Sequence, residues 1–289
     1  MPSPRPITHL PSLPLRPADA HKGSFGTVIV VGGSPAMIGA PAICASAAIR
    51  SGAGLVKIAA ASCVLPHAIT IEPTATGILL QGEFEHQLQA IDRADPRHTA
   101  VLAVGPGMGT DPQTGRLVLA LLKADRAAVL DADGLNLLAQ TREPRPDPGP
   151  PLVMTPHPGE FHRLARPLGI TESPVDPGQR PLAAIRLARA HRATVLLKGR
   201  RTIITDGGRI YENATGNPAL AAAGSGDVLT GVIASLIAQG MDPFDAACLG
   251  AHLHGLAADQ WSADHGRAGL AATDLARRLP HAMHTLRRK

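Results

Sequence analysis

The segment Gly216-Asn217-Pro218-Ala219-Leu220-Ala221-Ala222-Ala223-Gly224-Ser225-Gly226-Asp227-Val228-Leu229-Thr230-Gly231 sets one carboxylate between a glycine-rich turn and an apolar run of helical character. Gly224 and Gly226 let the backbone approach a ligand without side-chain obstruction, and the helix that follows offers unpaired N–H groups and the positive end of its dipole. Gly224, Ser225 and Gly226 therefore read as an anion hole. Asp227 falls in the first helical turn, where the dipole favours the ionised carboxylate, so the group is expected to take a proton rather than give one. A plain helix N-cap behind a Gly-Ser-Gly loop accounts for Gly-x-Gly-Asp equally well. The longer phrase, with Gly231 and an Ala/Leu/Val/Ile helix after it, tips the reading toward phosphate.

Weaker signals lie elsewhere. Gly32-Gly33-Ser34 lacks both the dinucleotide Gly-x-Gly-x-x-Gly spacing and a Walker A lysine, and Gly105-Pro106-Gly107-Met108-Gly109 is as good a tight turn as a phosphate or sugar contact. Thr155-Pro156-His157-Pro158-Gly159-Glu160 opens a helix, with Pro158 at its first position. His157, pinned between two prolines, is a candidate ligand contact. Asp131 and Asp133, near Asn136, suit either a metal or a strand-end helix cap. Lys198, followed by Gly199, Arg200, Arg201 and Thr202, can bring a point charge to a phosphate or form a charged hairpin tip. His252 and His254 sit in an apolar helix and read as core or interface residues.

These residues need a scaffold, and the chain supplies one in alternating runs. Thr27–Val31, Leu55–Ala59, Ala100–Val104 and Ala127–Asp131 are continuously apolar, as strands covered on both faces are, and helical segments (Ala40–Arg50, Gln113–Lys123, Leu182–His191) separate or follow them. This predicts an α/β fold with a doubly wound, mostly parallel sheet that gathers its ligands at the strands' carboxyl ends. Thr194–Leu197 and Thr202–Thr205 resume the strand pattern, and Asp227–Leu279 is helical throughout. The Pro-rich stretches Arg142–Pro151 and Pro174–Pro181 are expected as surface loops. The expected organisation is a Pro-rich leader over residues 1–20 and a single domain over 21–289, with no internal repeat.

With 289 residues, 44% of them hydrophobic, the chain can bury a large core. A net charge of +5 is scattered, and aromatic residues at 2% give few stacking platforms for bases, so an acidic small molecule is expected in place of nucleic acid. The basic tail, Arg277-Arg278 and Arg287-Arg288-Lys289, reads as a solvated helix end. Cys44, Cys63 and Cys248 have no metal or paired spacing and are expected as buried small hydrophobes in a reducing compartment. Neither a secretory leader nor an apolar run of about eighteen residues occurs, which implies no membrane span and a cytoplasmic location.

In order, Lys22-Gly23-Ser24-Phe25-Gly26-Thr27, Gly32-Gly33-Ser34, Ser51-Gly52-Ala53-Gly54-Leu55-Val56, Gly105-Pro106-Gly107-Met108-Gly109, Asp131-Ala132-Asp133-Gly134-Leu135-Asn136, Thr155-Pro156-His157-Pro158-Gly159-Glu160, Lys198-Gly199 and Gly224-Ser225-Gly226-Asp227 closely resemble the ADP-dependent NAD(P)H-hydrate dehydratases of the ribokinase-like superfamily. The resemblance implies a three-layer α/β/α fold and a repair reaction. In it the S form of NADH or NADPH hydrate is dehydrated while ADP, or ATP in its place, loses its terminal phosphate with the help of Mg²⁺. It implies hydrate contacts at Ala40, Gly107, His157 and Asp227, with Asp227 as catalytic base. Adenine-nucleotide contacts would come from Lys198, Gly199, Arg200, Arg201 and Thr202 and from Gly224, Ser225 and Gly226. The resemblance also implies a homotetramer, and the Ala-rich face from Ala246 to Ala258 reads by its composition as a candidate subunit contact. Because about twenty residues precede the match, the epimerase fused to some members is expected as a separate protein. Arg200-Arg201 departs from the small residues usual after Lys-Gly. The competing readings are a small-molecule kinase of the same superfamily, acting on a vitamin or sugar alcohol, and a non-catalytic nucleotide sensor.

Overall fold

The computed structural model describes residues 3–141 and 149–287. Its first half runs β1 (Arg5–Pro6), β2 (Thr27–Val31), α1 (Ala40–Arg50), β3 (Leu55–Ala61), α2 (Leu65–Ile71), β4 (Thr76–Leu80), α3 (Phe84–Ala94), β5 (Val101–Val104), α4 (Pro112–Lys123), β6 (Ala128–Leu130) and α5 (Asp133–Gln140). The second half runs β7 (Leu152–Met154), α6 (Pro158–Ala165), α7 (Arg180–His191), β8 (Thr194–Leu197), β9 (Ile203–Thr205), β10 (Arg209–Glu212), α8 (Ser225–Ala238), α9 (Pro243–His265) and α10 (Ala272–Arg287). The strands form one sheet in the order β1-β10-β9-β8-β7-β6-β5-β2-β3-β4. Every pairing from β4 across to β8 is parallel, while β9 runs antiparallel to both β8 and β10.

Strand pleat explains why the apolar runs are continuous. Val28 and Val30 of β2, with Val101 and Ala103 of β5, pack into a core under α1, α8, α9 and α10. Ile29, Val31, Leu102 and Val104, which point the other way, pack into a second core with α4, α5, α6 and α7. Helices thus cover both faces, and a truncation such as Leu102→Ala would cost about 2–5 kcal/mol.

The strand order reverses between β2 and β5, so their carboxyl ends splay into the crevice where doubly wound sheets bind ligands. Gly32-Gly33-Ser34 and Gly105–Gly109 meet there, with the Gly33 amide donating to the Pro106 carbonyl at 2.8 Å.

Several expectations change. Arg5–Pro6 of the leader pairs in parallel with β10 at the sheet edge. Of the Pro174–Pro181 stretch, the last two residues already belong to α7. Part of the Arg142–Pro151 stretch, residues 142–148, lies outside the described residues, as do the last two residues of the tail. Cys44 and Cys248 are buried, but Cys63 is exposed in the turn between β3 and α2, where the chain leaves the sheet. The Ala246–Ala258 face is not a free surface: Ala246, Ala247, Ala251, Ala257 and Ala258 are all at most 4% exposed in the single chain. They sit in the core that α9 shares with α8 and α10, which removes this face as a subunit contact.

Candidate active site

α8 begins where the sequence places it. Gly224 is its N-cap with φ 83°, a left-handed conformation that glycine adopts without strain, and a side chain there would meet Ala272 Cβ at 2.9 Å. Ser225, Gly226 and Asp227 form the first turn; the Ser225 amide donates to the Ala222 carbonyl at 3.3 Å, which leaves the Gly226 and Asp227 amides among the helix's unpaired donors. Behind them, Ser225 Oγ donates to the Leu220 carbonyl at 2.9 Å, and the buried His254 ring donates from Nε2 to the Ser225 carbonyl at 2.9 Å. Burial lowers the His254 pKa to about 4, which keeps the ring neutral as a strut of the turn. Gly231 has a packing role instead: a Cβ there would lie 2.2 Å from the Cys44 carbonyl oxygen, so glycine lets α1 and α8 touch.

Asp227 departs from the expectation drawn from the helix dipole. Burial, then the nearby charge of Asp131, push its pKa up to about 7, with Lys198 opposing. Desolvation and a like charge outweigh the helix end, and the group becomes a base poised near neutrality.

The strand ends deliver the charges. Asp131, just past β6, is buried and accepts from Lys198 Nζ at 2.8 Å through Oδ1 and from Thr230 Oγ1 of α8 at 2.9 Å through Oδ2. Burial alone would raise its pKa, but Lys198 and these hydrogen bonds hold it below the ordinary carboxylate range. Ala132, at φ 49°, turns the chain so that Asp133 diverges from Asp131 and accepts from the Gly109 amide at 2.9 Å. Lys198, just past β8, also lies 3.7 Å from Glu160 Oε2. Burial pulls its pKa down, yet Asp131 and Glu160 outweigh this and the ammonium stays charged. A Cβ built on Gly226 would lie 3.2 Å from Asp131 Oδ2 and 3.5 Å from Lys198 Nζ, so the pair abuts the α8 turn directly.

His157 follows β7 and caps α6. Its Nδ1 accepts from the Gly159 amide at 2.9 Å, and Glu160 reaches back to the His157 amide at 2.8 Å. Its side chain is 50% exposed, with Nε2 3.4 Å from Glu160 Oε1. Burial of part of the ring, then Lys198, lower its pKa and favour the neutral form. His157 is therefore both a helix cap and a surface presented beside Lys198.

Ala40 opens α1, and a Cβ on Gly107 would lie 2.9 Å from Ala40 Cβ. One turn along the same helix face, Ile43 Cδ1 lies 3.4 Å from the Cβ position of Gly224. The first turn of α1 thus joins Gly107 to the α8 turn. Lys198, Gly199, Arg200 and Arg201 line a cavity of about 350 Å³ with Pro158, Arg180 and Glu212. Arg200 and Arg201 are exposed, Arg201 pairing with Glu212, and Thr202 is turned inward with Oγ1 donating to the Gly199 carbonyl at 2.9 Å. Arg180 and Thr230 belong to the site but carry no local signal in the sequence beyond their residue types. Glu160 is the third residue of a capping box, which explains its position without any ligand.

A parallel sheet reversing at a glycine-lined crevice, with an acid at a helix N-terminus across from it, defines a ribokinase-like α/β/α architecture. The chain is similar to a ribokinase-like superfamily protein of Enterococcus faecalis, with TM-score 0.77 and 26% identity over 95% of this chain and 92% of that one. It is similar also to the ADP/ATP-dependent NAD(P)H-hydrate dehydratase of Bacillus subtilis, crystallised with ATP/Mg²⁺, with TM-score 0.81 and 31% identity over 95% of each chain. Among sequences, it is 43% identical to the bifunctional NAD(P)H-hydrate repair enzyme Nnr of Moorella thermoacetica, covering 95% of this chain and 52% of that protein. The ADP-dependent (S)-NAD(P)H-hydrate dehydratase of Neisseria meningitidis is 41% identical, over 90% of this chain and 86% of that protein. The chain spans about half the length of the bifunctional relative. The NAD(P)H-hydrate dehydratase family profile matches residues 28–281, and the chain belongs to that family.

Proposed function

We propose that the chain dehydrates the S form of NADH or NADPH hydrate, converting ADP to AMP and phosphate. The observation that carries this reading is the half-buried Asp227, its pKa near 7, in the first turn of α8 against the Lys198–Asp131 pair. Hydroxide is a poor leaving group from carbon at neutral pH. In the proposed reaction Asp227 takes the proton of the hydrate hydroxyl as that oxygen attacks the terminal phosphorus of ADP, and AMP departs. The phosphorylated hydrate then expels phosphate, driven by the ring nitrogen lone pair, and loss of a ring proton restores the dihydropyridine. The Gly224-Ser225-Gly226 turn would hold the phosphoryl oxygens through the amides of Gly224 and Gly226, and Lys198 would hold the nucleotide's phosphates. Ala40, Gly107 and His157 would flank the nicotinamide.

Among the described residues no three acidic, histidine or cysteine side chains form a metal cage, and both oxygens of Asp131 are already engaged. That donor set suits Mg²⁺, which is commonly held by one or two carboxylates and substrate phosphates. Asp133, near Asp227, would hold the ion together with the nucleotide's phosphates, and the ion when bound would neutralise phosphate charge and leave Asp227 free to act as base.

Incubating the chain with ADP and freshly prepared NADH hydrate tests the reading. Recovery of the reduced-nicotinamide absorbance with stoichiometric AMP supports it; a stable phosphorylated product identifies the kinase alternative, and nucleotide binding without turnover the sensor. The homotetramer and the separate epimerase remain proposals from the resemblance, checked by sedimentation and by assaying turnover of the R hydrate with and without added epimerase. The cytoplasmic location is likewise proposed; no helix among the described residues is long and apolar enough to cross a membrane.

A further inference from the structure

Arg180, at the start of α7, is almost fully buried, yet among the described residues its guanidinium meets no carboxylate within salt-bridge distance. It is spent on backbone. Nη1 donates to the carbonyls of Arg200 at 2.5 Å and Arg201 at 3.4 Å, and Nη2 to those of Leu197 at 3.1 Å and Lys198 at 3.3 Å. Gly199 fits the same contact: its φ is 142°, and a Cβ there would lie 2.9 Å from Arg180 Nη2. One buried cation therefore gathers four carbonyl oxygens of a single turn.

The planar trans peptide gives this a consequence. In each unit the C=O and the following N–H point in opposite directions. With the carbonyls of Lys198, Arg200 and Arg201 drawn to Arg180, the amides of Gly199, Arg201 and Thr202 point away from it. The Gly199 carbonyl is taken by Thr202 Oγ1, which fixes the Arg200 amide in turn. The Lys198 amide is bonded to the Pro156 carbonyl at 2.9 Å, whereas the amides of Gly199, Arg200 and Arg201 have no acceptor among the described residues. Arg201 sits at φ 55°, the left-handed conformation that makes successive amides converge into an anion-binding nest. The turn lines the cavity of about 350 Å³ and carries Lys198 at its root.

We propose that Arg180 is a positioning residue that makes the Lys198–Thr202 turn into a preformed cradle for the phosphates of an adenine nucleotide. The inference rests on the nucleotide use proposed above but adds a residue that touches neither reactant. Holding the turn rigid before binding spares the nucleotide the cost of ordering it, so the effect belongs in affinity.

The test is ADP binding by calorimetry, which needs no turnover, alongside steady-state kinetics. Arg180→Met should weaken ADP binding and raise the nucleotide KM about ten- to a hundredfold, with kcat at saturating nucleotide and the hydrate KM within about threefold of wild type. Arg180→Lys, which keeps the charge but cannot span four carbonyls, should recover part of the affinity, and it serves alone should the methionine variant fail to fold. Arg189 lies on the same helix and bonds the Gly207 carbonyl through Nε at 3.0 Å and Nη2 at 2.8 Å. Arg189→Met is the control and should leave ADP affinity unchanged. Equal ADP affinity in wild type and Arg180 variants, an equal rise in the hydrate KM, or no nucleotide binding by wild type would overturn the proposal. Tight ADP binding without restoration of NADH would instead defeat the proposed reaction and leave the role of Arg180 standing.

Discussion

The Gly224–Asp227 turn and the Lys198–Thr202 turn face each other across the Lys198–Asp131 ion pair, yet they are built by opposite means. The first is local. A left-handed glycine, a helix start and an acid three residues on lie in one stretch of chain, and the Gly226 and Asp227 amides are free because a helix start leaves its first donors unpaired. The second is assembled from a distance: its carbonyls are collected by Arg180, 17 to 21 residues earlier in the chain, and its lysine is held by Asp131, 67 residues earlier. A local site tolerates change around it and fails when its own residues change. An assembled one can fail from outside.

The largest expected effect falls on the local turn. Asp227→Asn should lower turnover by about two to four orders of magnitude while ADP affinity stays within about threefold, since the shape remains and the base is gone. Assay of NADH recovery together with calorimetry checks it, and near wild-type turnover would remove Asp227 from its role. Next in size is a contrast between two glycines of the same helix. Gly231→Ala puts a methyl 2.2 Å from the Cys44 carbonyl oxygen, and separating α1 from α8 should cost about 1–3 kcal/mol in thermal or denaturant unfolding with the nucleotide KM little changed. Gly226→Ala meets only Asp131 and Lys198 at 3.2 and 3.5 Å, and should spare stability while raising the nucleotide KM several-fold. Equal loss of stability in both variants would blur the division between packing and cradle.

A smaller effect is a stability difference with a definite sign. The Asp227 pKa rises from 3.8 to about 7 on folding, so between those values the folded chain binds more protons than the unfolded one. The stability this group contributes is fully present below pH 4 and is lost as pH rises through 7. Asp227→Asn should therefore raise the Tm relative to wild type at pH 8, with the gap closing toward pH 4. The smallest effect is at His157. His157→Ala removes the α6 cap and should cost about 1 kcal/mol in unfolding, with a modest rise in the hydrate KM and none in that of ADP.

What the sequence could reveal follows the same division. β2 and α1 were legible to the residue because an apolar run ends in Gly32-Gly33 and an Ala-rich helix follows. The Gly-Ser-Gly-Asp turn was legible because all its parts are adjacent. The Asp227 pKa was not, since the dipole is visible in sequence while burial and the Asp131 charge come from another strand. The Ala246–Ala258 stripe read as an interface because small residues suit helix contacts of any kind, and the partners proved to be α8 and α10 of the same chain. β1 and β10, at the sheet edge, carry few apolar residues and gave no strand signal. Arg180 falls within the Pro174–Pro181 stretch expected as a surface loop, and only the fold sets it against the carbonyls at the end of β8.

The proposed reaction requires Asp227 to act as a base tuned to neutrality by burial and by Asp131. The most direct measurement is the pH dependence of kcat/KM for NADH hydrate at saturating ADP, from pH 5 to 9, in wild type and Asp131→Asn. Wild type should show a limb that falls on the acid side with its midpoint near 7, moved to lower pH when the Asp131 charge is removed. A flat wild-type profile across that range, or a midpoint that Asp131→Asn leaves in place, would contradict it.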